Sequence, residues 1–228
     1  MQRQAGRASL FDGLAATVIF LLIYFIIATL LTYIVSSAYT YGYIGKDNYN
    51  FLSEVATVLP LSIAVLVYML LYKGTSLSKT LRDLGFVSNG ISGKIGIGIM
   101  LFMVIFMLEL LATLVSSAIN IPINTNTNLV FAGAPAWFFI FIALVEPINE
   151  EIMFRGFLVP RIGILPSALL FGLAHYSYMS TFGIEVIAAF IFGALAGYIF
   201  RSTKSIYPGI VAHVLVNTLA VIGMLAIG

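Results

Sequence analysis

Runs of apolar residues long enough to cross a bilayer, parted by short polar connections, follow one another along almost the whole chain. They fall at about 14–36, 52–72, 95–118, 136–158, 163–177, 182–200 and 207–227, each near the roughly 20-residue length of a transmembrane helix. The pattern predicts an all-α, polytopic bundle of about seven (six to eight) spans. The fifth run is the shortest, and Pro160 and Pro166 around its start predict a broken or re-entrant segment, which survives in a membrane only under protein cover. The first run follows two arginines, yet at Leu14 to about Ser36 it exceeds a signal peptide's apolar core, so it reads as a retained helix. We take residues 1–135 as N-terminal helices of unassigned role and 136–228 as the core carrying chemistry, within one integral-membrane unit.

Basic residues sharpen this picture. Arg3 and Arg7, then Lys73, Lys79, Arg82 and Lys94, then Arg161, then Arg201 and Lys204 fall on alternate connections, which by the positive-inside rule sets the N-terminus in the cytoplasm and the C-terminus outside. The connection from Lys73 to Lys94 mixes these charges with Leu81, Leu84 and Phe86 and reads as a short amphipathic piece on the cytoplasmic face. Asn124 to Asn128 reads as a polar external turn, and Tyr176 and Tyr178 as an interfacial aromatic belt.

Composition agrees. Of 228 residues, 61% are apolar and 9% charged, with a mean hydropathy of +1.08, which excludes a soluble globular domain and predicts a multi-pass protein of the cell membrane with the lipid bilayer as its solvent. The net charge is +2 and no basic run could track a phosphate backbone, so nucleic acid is not expected as a partner. There is no cysteine, which removes disulfides, thiolate catalysis and cysteine-ligated metals.

Against that background the stretch Glu146-Pro-Ile-Asn-Glu-Glu-Ile-Met-Phe-Arg-Gly156 stands out, because a charge at mid-bilayer costs about 2.5–3.5 kcal/mol on insertion scales and marks a functional site by default. Glu151 and Arg155 are i and i+4, the acid first, which favours a helical ion pair. Glu150 is rotated from that line by about 100° and is free to face elsewhere. The chain's two histidines are also in apolar helices, His175 four residues after Phe171 and His213 four before Asn217, each pair on one helical face. Counted from the basic anchors, Glu150, His213 and Asn217 reach compatible depths in the cytoplasmic half. Glu109 and Glu185 stand in other spans, and Gly193 and Gly197 form a small-residue repeat whose ordinary meaning is close helix packing.

One Glu, two His and an Asn suit hydrolysis. A carboxylate in a dry site can act as general base toward water, an imidazole can share its proton, and Asn or His can donate to an oxyanion. The same Glu150, His175 and His213 could instead ligate zinc with a water in the open position. Intramembrane Glu and His also serve as proton relays, so a carrier is a rival reading, although the inverted repeats of carriers are not seen.

The four elements Glu150-Glu151-x-x-x-Arg155, Phe171-x-x-x-His175, the small-residue helix FIFGALAGYIF and His213-x-x-x-Asn217 occur in the order found in the CPBP family, the CAAX proteases and bacteriocin-processing enzymes, also called the Abi family. The resemblance covers roughly the last 85 residues and implies an intramembrane endopeptidase similar to type II CAAX prenyl proteases. Such enzymes remove the last three residues of prenylated proteins at the cytoplasmic face. It implies that Glu150 activates the water, with His175 as its partner, that His213 and Asn217 stabilise the oxyanion, and that Glu151, Arg155 and Phe171 support them. The substrate implied is a protein or peptide, prenylated or not, and the mechanism preferred needs no metal, zinc being the alternative. A non-catalytic relative, acting as a membrane scaffold or in bacteriocin self-immunity, is the other reading the resemblance leaves open.

Overall fold

The computed structural model describes residues 10–118, 134–178 and 184–227. The expected external turn, Asn124 to Asn128, lies outside the described residues, as do the side chains of Tyr178 and Glu185. The described residues form an all-α bundle of eight helices. These are α1 (Leu10–Thr40), α2 (Lys46–Val67, prolonged by a π turn, Tyr68–Tyr72), α3 (Leu77–Asp83), α4 (Ile91–Ala118), α5 (136–162), α6 (Ile164–Ala174, ending in a 3-10 turn, His175–Tyr178), α7 (Ile184–Thr203) and α8 (Tyr207–Ile227).

Each apolar run of the sequence coincides with a helix, but the helices are of two kinds. Five are long and apolar enough to cross a membrane by themselves: Phe11–Thr40, Lys46–Tyr72, Ile91–Val115, Val186–Thr203 and Tyr207–Ala226. The run expected at 163–177 holds only the 11-residue Ile164–Ala174, about 16 Å at 1.5 Å per residue, half of a hydrocarbon core. Its start is set by Gly163 at φ 95°, a conformation open to glycine. The run expected at 136–158 is α5, which carries the acids and sits in the middle of the bundle, touching α1, α2, α6, α7 and α8.

Lipid is as apolar as leucine, so close packing and polar contacts, more than the hydrophobic effect, hold such a bundle together. A Cβ placed on Gly193 would lie 3.1 Å from the Ala168 Cα, and one on Gly197 3.2 Å from Ile164. The small-residue repeat thus lets α7 close onto α6 within the chain. Around α5 the aromatic core runs from Phe20 and Tyr68, whose rings lie 5.1 and 5.2 Å from that of Phe157, to an outer layer where Phe51 meets Phe138. The connection after α3 is more than a surface piece: Leu81 and Leu77 are exposed, but Leu84 is buried beneath Gly156 of α5, where a Cβ would come within 2.9 Å of the Leu84 carbonyl oxygen. Gly85, at φ 90°, turns its carbonyl to accept the Ile206 N–H at 2.9 Å. This ties the turn before α8 to the connection that Leu84 seats on α5.

Candidate active site

The acids of α5 stand on a short α-helical stretch, Glu146–Glu151, held between two π-helical segments, Phe141–Val145 and Ile152–Leu158. Wider i→i+5 turns of this kind change the phase of a helix and are frequent at functional sites. Pro147 has no N–H, so the Ile142 carbonyl, five residues back, has no i→i+5 backbone donor there. Asn217 of α8 donates its Nδ2–H to that carbonyl at 3.1 Å. On the opposite side Ser62 of α2 donates to Asn149 Oδ1, while Asn149 donates to Val145 O at 2.8 Å. The stretch is therefore tied by side chains to α8 on one flank and α2 on the other.

Glu151 and Arg155 form the ion pair expected from their spacing, Nη1 to Oε1 at 2.8 Å, with 0% and 1% of their side chains exposed. The guanidinium Nε and Nη2 have no hydrogen-bond acceptor among the described residues. They are covered by the rings of Phe171 and Phe192, whose centroids lie 4.2 and 4.9 Å from the guanidinium carbon, a cation–π arrangement that gains strength when dry. Glu151 Oε2 is pressed against the first turn of α8 so closely that a Cβ on Gly209 would overlap it, and a carboxylate at a helix N-terminus is favoured by the helix dipole.

His213, buried on α8, joins the two adjacent acids. Its Nδ1 lies 3.2 Å from Glu151 Oε1 and its Nε2 3.5 Å from Glu150 Oε2. A carboxylate can only accept, so Nδ1 carries a proton toward Glu151. On the other side an imidazole nitrogen and a carboxylate oxygen face each other, and they attract only when one of them holds a proton. A proton on either of the two would bridge that gap. Phe171 sits beside both histidines, its centroid 5.7 Å from His213 and 4.5 Å from His175. His175 Nδ1 lies 2.9 Å from the Phe171 carbonyl oxygen, which can only accept. Nδ1 is then the nitrogen that donates to that carbonyl.

Glu150, 7% exposed, faces the other way from its neighbour. It lines a cavity of about 630 Å³ together with Thr17, Phe20 and Tyr24 of α1, Glu54, Thr57 and Leu61 of α2, Met153 and Phe154 of α5, and Leu170, Leu173 and Ala174 of α6. Leu21, Leu170 and Leu173 at its rim are exposed, so it opens sideways between α1 and α6. The structure brings Glu150, Glu151, Arg155, Phe171 and His213 into one contact network. His175 joins it through Phe171, and Asn217 stands one turn along α8 from His213. Among the described residues no three His, Asp or Glu side chains gather as metal ligands would.

Residues to which the sequence reading gave no role are Ser62, Asn149, Phe192 and Glu54. Glu54 had a signal, because it is an acid inside the second apolar run; the others are ordinary residue types whose role comes only from their neighbours.

Residues 132–219 match the family model described as type II CAAX prenyl endopeptidase Rce1-like. The match spans every residue from Glu146 to Asn217, whereas α1 and α2, the opposite wall of the cavity, lie outside it. No curated protein and no solved structure matches the chain.

Proposed function

We propose that the chain, whose residues 132–219 match the Rce1-like model of type II CAAX prenyl endopeptidases, is an intramembrane endopeptidase of the CAAX type. It hydrolyses a peptide bond near the C-terminus of a protein or peptide, prenylated or not, with Glu150 as the base that activates water. The observation that supports this most is the division of labour between neighbouring acids. Glu151 is consumed by Arg155 and His213, while Glu150 faces a cavity with His213 Nε2 at 3.5 Å.

In this reading a proton between Glu150 and His213 rests on His213 when substrate is bound. Glu150, as carboxylate, takes a proton from water as the oxygen attacks the scissile carbonyl carbon. His213 Nε2–H, aimed by the Glu151 contact at Nδ1, donates to the oxyanion, and Asn217 is the second donor from the same face of α8. His175, set beside Phe171, is the partner of Glu150 that the family resemblance implies. Collapse of the tetrahedral intermediate breaks the C–N bond, and the proton held by Glu150 passes to the leaving amine. Arg155 offsets the charge of Glu151, which fixes His213.

We propose a route without metal. What supports this is that Glu150, His175 and His213 do not gather as a three-ligand set among the described residues.

The test is cleavage of a fluorogenic CAAX-type peptide, prenylated and unprenylated, by the purified full chain. Hydrolysis is expected to vanish in Glu150→Gln and to persist in a strong chelator. Cleavage that survives Glu150→Gln overturns the assignment of the base, and loss in chelator with recovery in zinc replaces the route by a metal-dependent one.

A further inference from the structure

The two π segments that flank Glu146–Glu151 are held by side chains as well as by their own backbone. In Phe141–Val145 the Ile142 carbonyl accepts from Asn217 and the Val145 carbonyl from Asn149. In Ile152–Leu158 the Phe154 carbonyl accepts from the Ser167 hydroxyl at 2.8 Å and the Phe157 carbonyl from Arg161 Nη1 at 2.7 Å. Side-chain donors at these carbonyls keep buried acceptors satisfied where the turn is wide. Asn217 and Ser167 reach in from α8 and α6. Asn149 stands on α5 itself, beside Glu150, and is oriented from outside it.

The Val145 carbonyl can only accept, so the Asn149 amide turns Nδ2 toward it and Oδ1 away from it, toward α2. Asn149 is 6% exposed, and a buried acceptor left without a donor is costly. Ser62 of α2, half-buried, supplies the donor. The bonded pair stands at the edge of the cavity, because Leu61, next to Ser62, and Glu150, next to Asn149, both line it. Consecutive helical positions differ by about 100°. The rotation of α5 that seats Asn149 Oδ1 on Ser62 therefore also sets the direction of Glu150.

Resting on the endopeptidase reading above, we infer that Ser62 is a positioning residue for the reaction. Acting through Asn149, it fixes the rotation of α5 at which Glu150 lines the cavity and meets His213 Nε2 at 3.5 Å. Ser62 belongs to α2, outside the matched residues 132–219. The N-terminal helices thus supply part of the machinery that aims the reactive acid, in addition to a wall of its cavity.

The test pairs turnover with a spectroscopic readout that needs no turnover. Cleavage of a CAAX-type peptide is followed in wild type, Ser62→Ala, Ser62→Thr and Thr75→Val, all as the full chain in nanodiscs. Thr75→Val is the control, since it removes a hydroxyl that donates to the Met69 carbonyl in the π turn of α2 at 2.6 Å, away from Glu150. The same proteins are labelled with ¹⁵N-histidine. The chain has two histidines, so the ring nitrogens of His213 are assigned against a His175→Gln sample. In Ser62→Ala, kcat is expected to fall about tenfold, the scale of a slightly misplaced catalytic group, with KM within about twofold. The His213 ring resonances should move by more than their linewidth. Ser62→Thr, which keeps the hydroxyl, should restore both, and Thr75→Val should change neither.

A kcat near wild type in Ser62→Ala overturns the inference, as does a loss that Ser62→Thr fails to restore or that Thr75→Val reproduces. A fall in kcat with unmoved His213 resonances overturns it too, because the bond then does not set how Glu150 and His213 meet. Resonances that move in Ser62→Ala and return in Ser62→Thr, with no peptide cleaved even by wild type, support the positioning by Ser62 and instead sink the endopeptidase reading.

Discussion

Glu150 and Glu151 are neighbours in sequence with the same side chain, yet one side of α5 locks its acid into an ion-pair network and the other turns its acid to a cavity. Glu151 reaches Arg155, His213 and the first turn of α8, and nothing of it is exposed. Glu150 meets the His213 imidazole at 3.5 Å and lines the cavity. The rotation of about 100° between consecutive helical residues is enough to do this. The lesson is that the ion pair is the support for its neighbour: Glu151 holds Nδ1 and so sets how His213 faces Glu150.

Substitutions can break that contrast. The largest expected effect is in activity: Glu150→Gln should lower the rate of peptide cleavage by about 10³-fold, within the range of a lost general base, while the unfolding temperature in detergent stays near that of the wild type. If the variant unfolds as readily as the next one, Glu150 is structural and the contrast is gone. Arg155→Met should do the reverse, since it leaves Glu151 buried without its cation. A loss of about 3–5 kcal/mol in denaturant unfolding is expected, with activity failing because little folded protein remains. Gly209→Ala pushes a methyl group into the Glu151 carboxylate and should cost about 1–3 kcal/mol, the scale of overpacking. It should also tilt His213 and so depress kcat in the protein that is folded. The smallest effect belongs to Gly96→Ala on α4, where a Cβ meets nothing within 4 Å. Stability and activity should both stay within about 0.5 kcal/mol of wild type, showing that sensitivity to an added methyl follows the site.

Much of this was legible from spacing. The apolar runs located the helices, and the i, i+4 step from Glu151 to Arg155 gave the ion pair. The one-residue offset sent Glu150 elsewhere, and Phe171 with His175 did share a face. What spacing could not reach were contacts made by residues far apart in sequence. His213 touches two acids more than sixty positions upstream, and Ser62 bonds Asn149 across 87 positions. No local period encodes either. The π segments were invisible for another reason: counting by 3.6 assumes the very hydrogen-bond pattern that they replace. The short α6 shows a third limit, since hydropathy measures how apolar a run is and is silent on where a glycine at φ 95° ends the helix before it.

The π segments flanking Glu146–Glu151 also bear on how this chain tolerates insertions and deletions. A helix with an extra residue in its turn has, in effect, a reading frame. Deleting one residue from Phe141–Val145 or Ile152–Leu158 would let the turn relax to an ordinary α-helix and would rotate everything on one side of it by about 100° relative to the other. Such a change removes no polar residue and hardly alters the hydropathy of the run, yet it would exchange which acid faces the cavity. In this helix length is information, and a one-residue gap within it carries the weight of an active-site mutation.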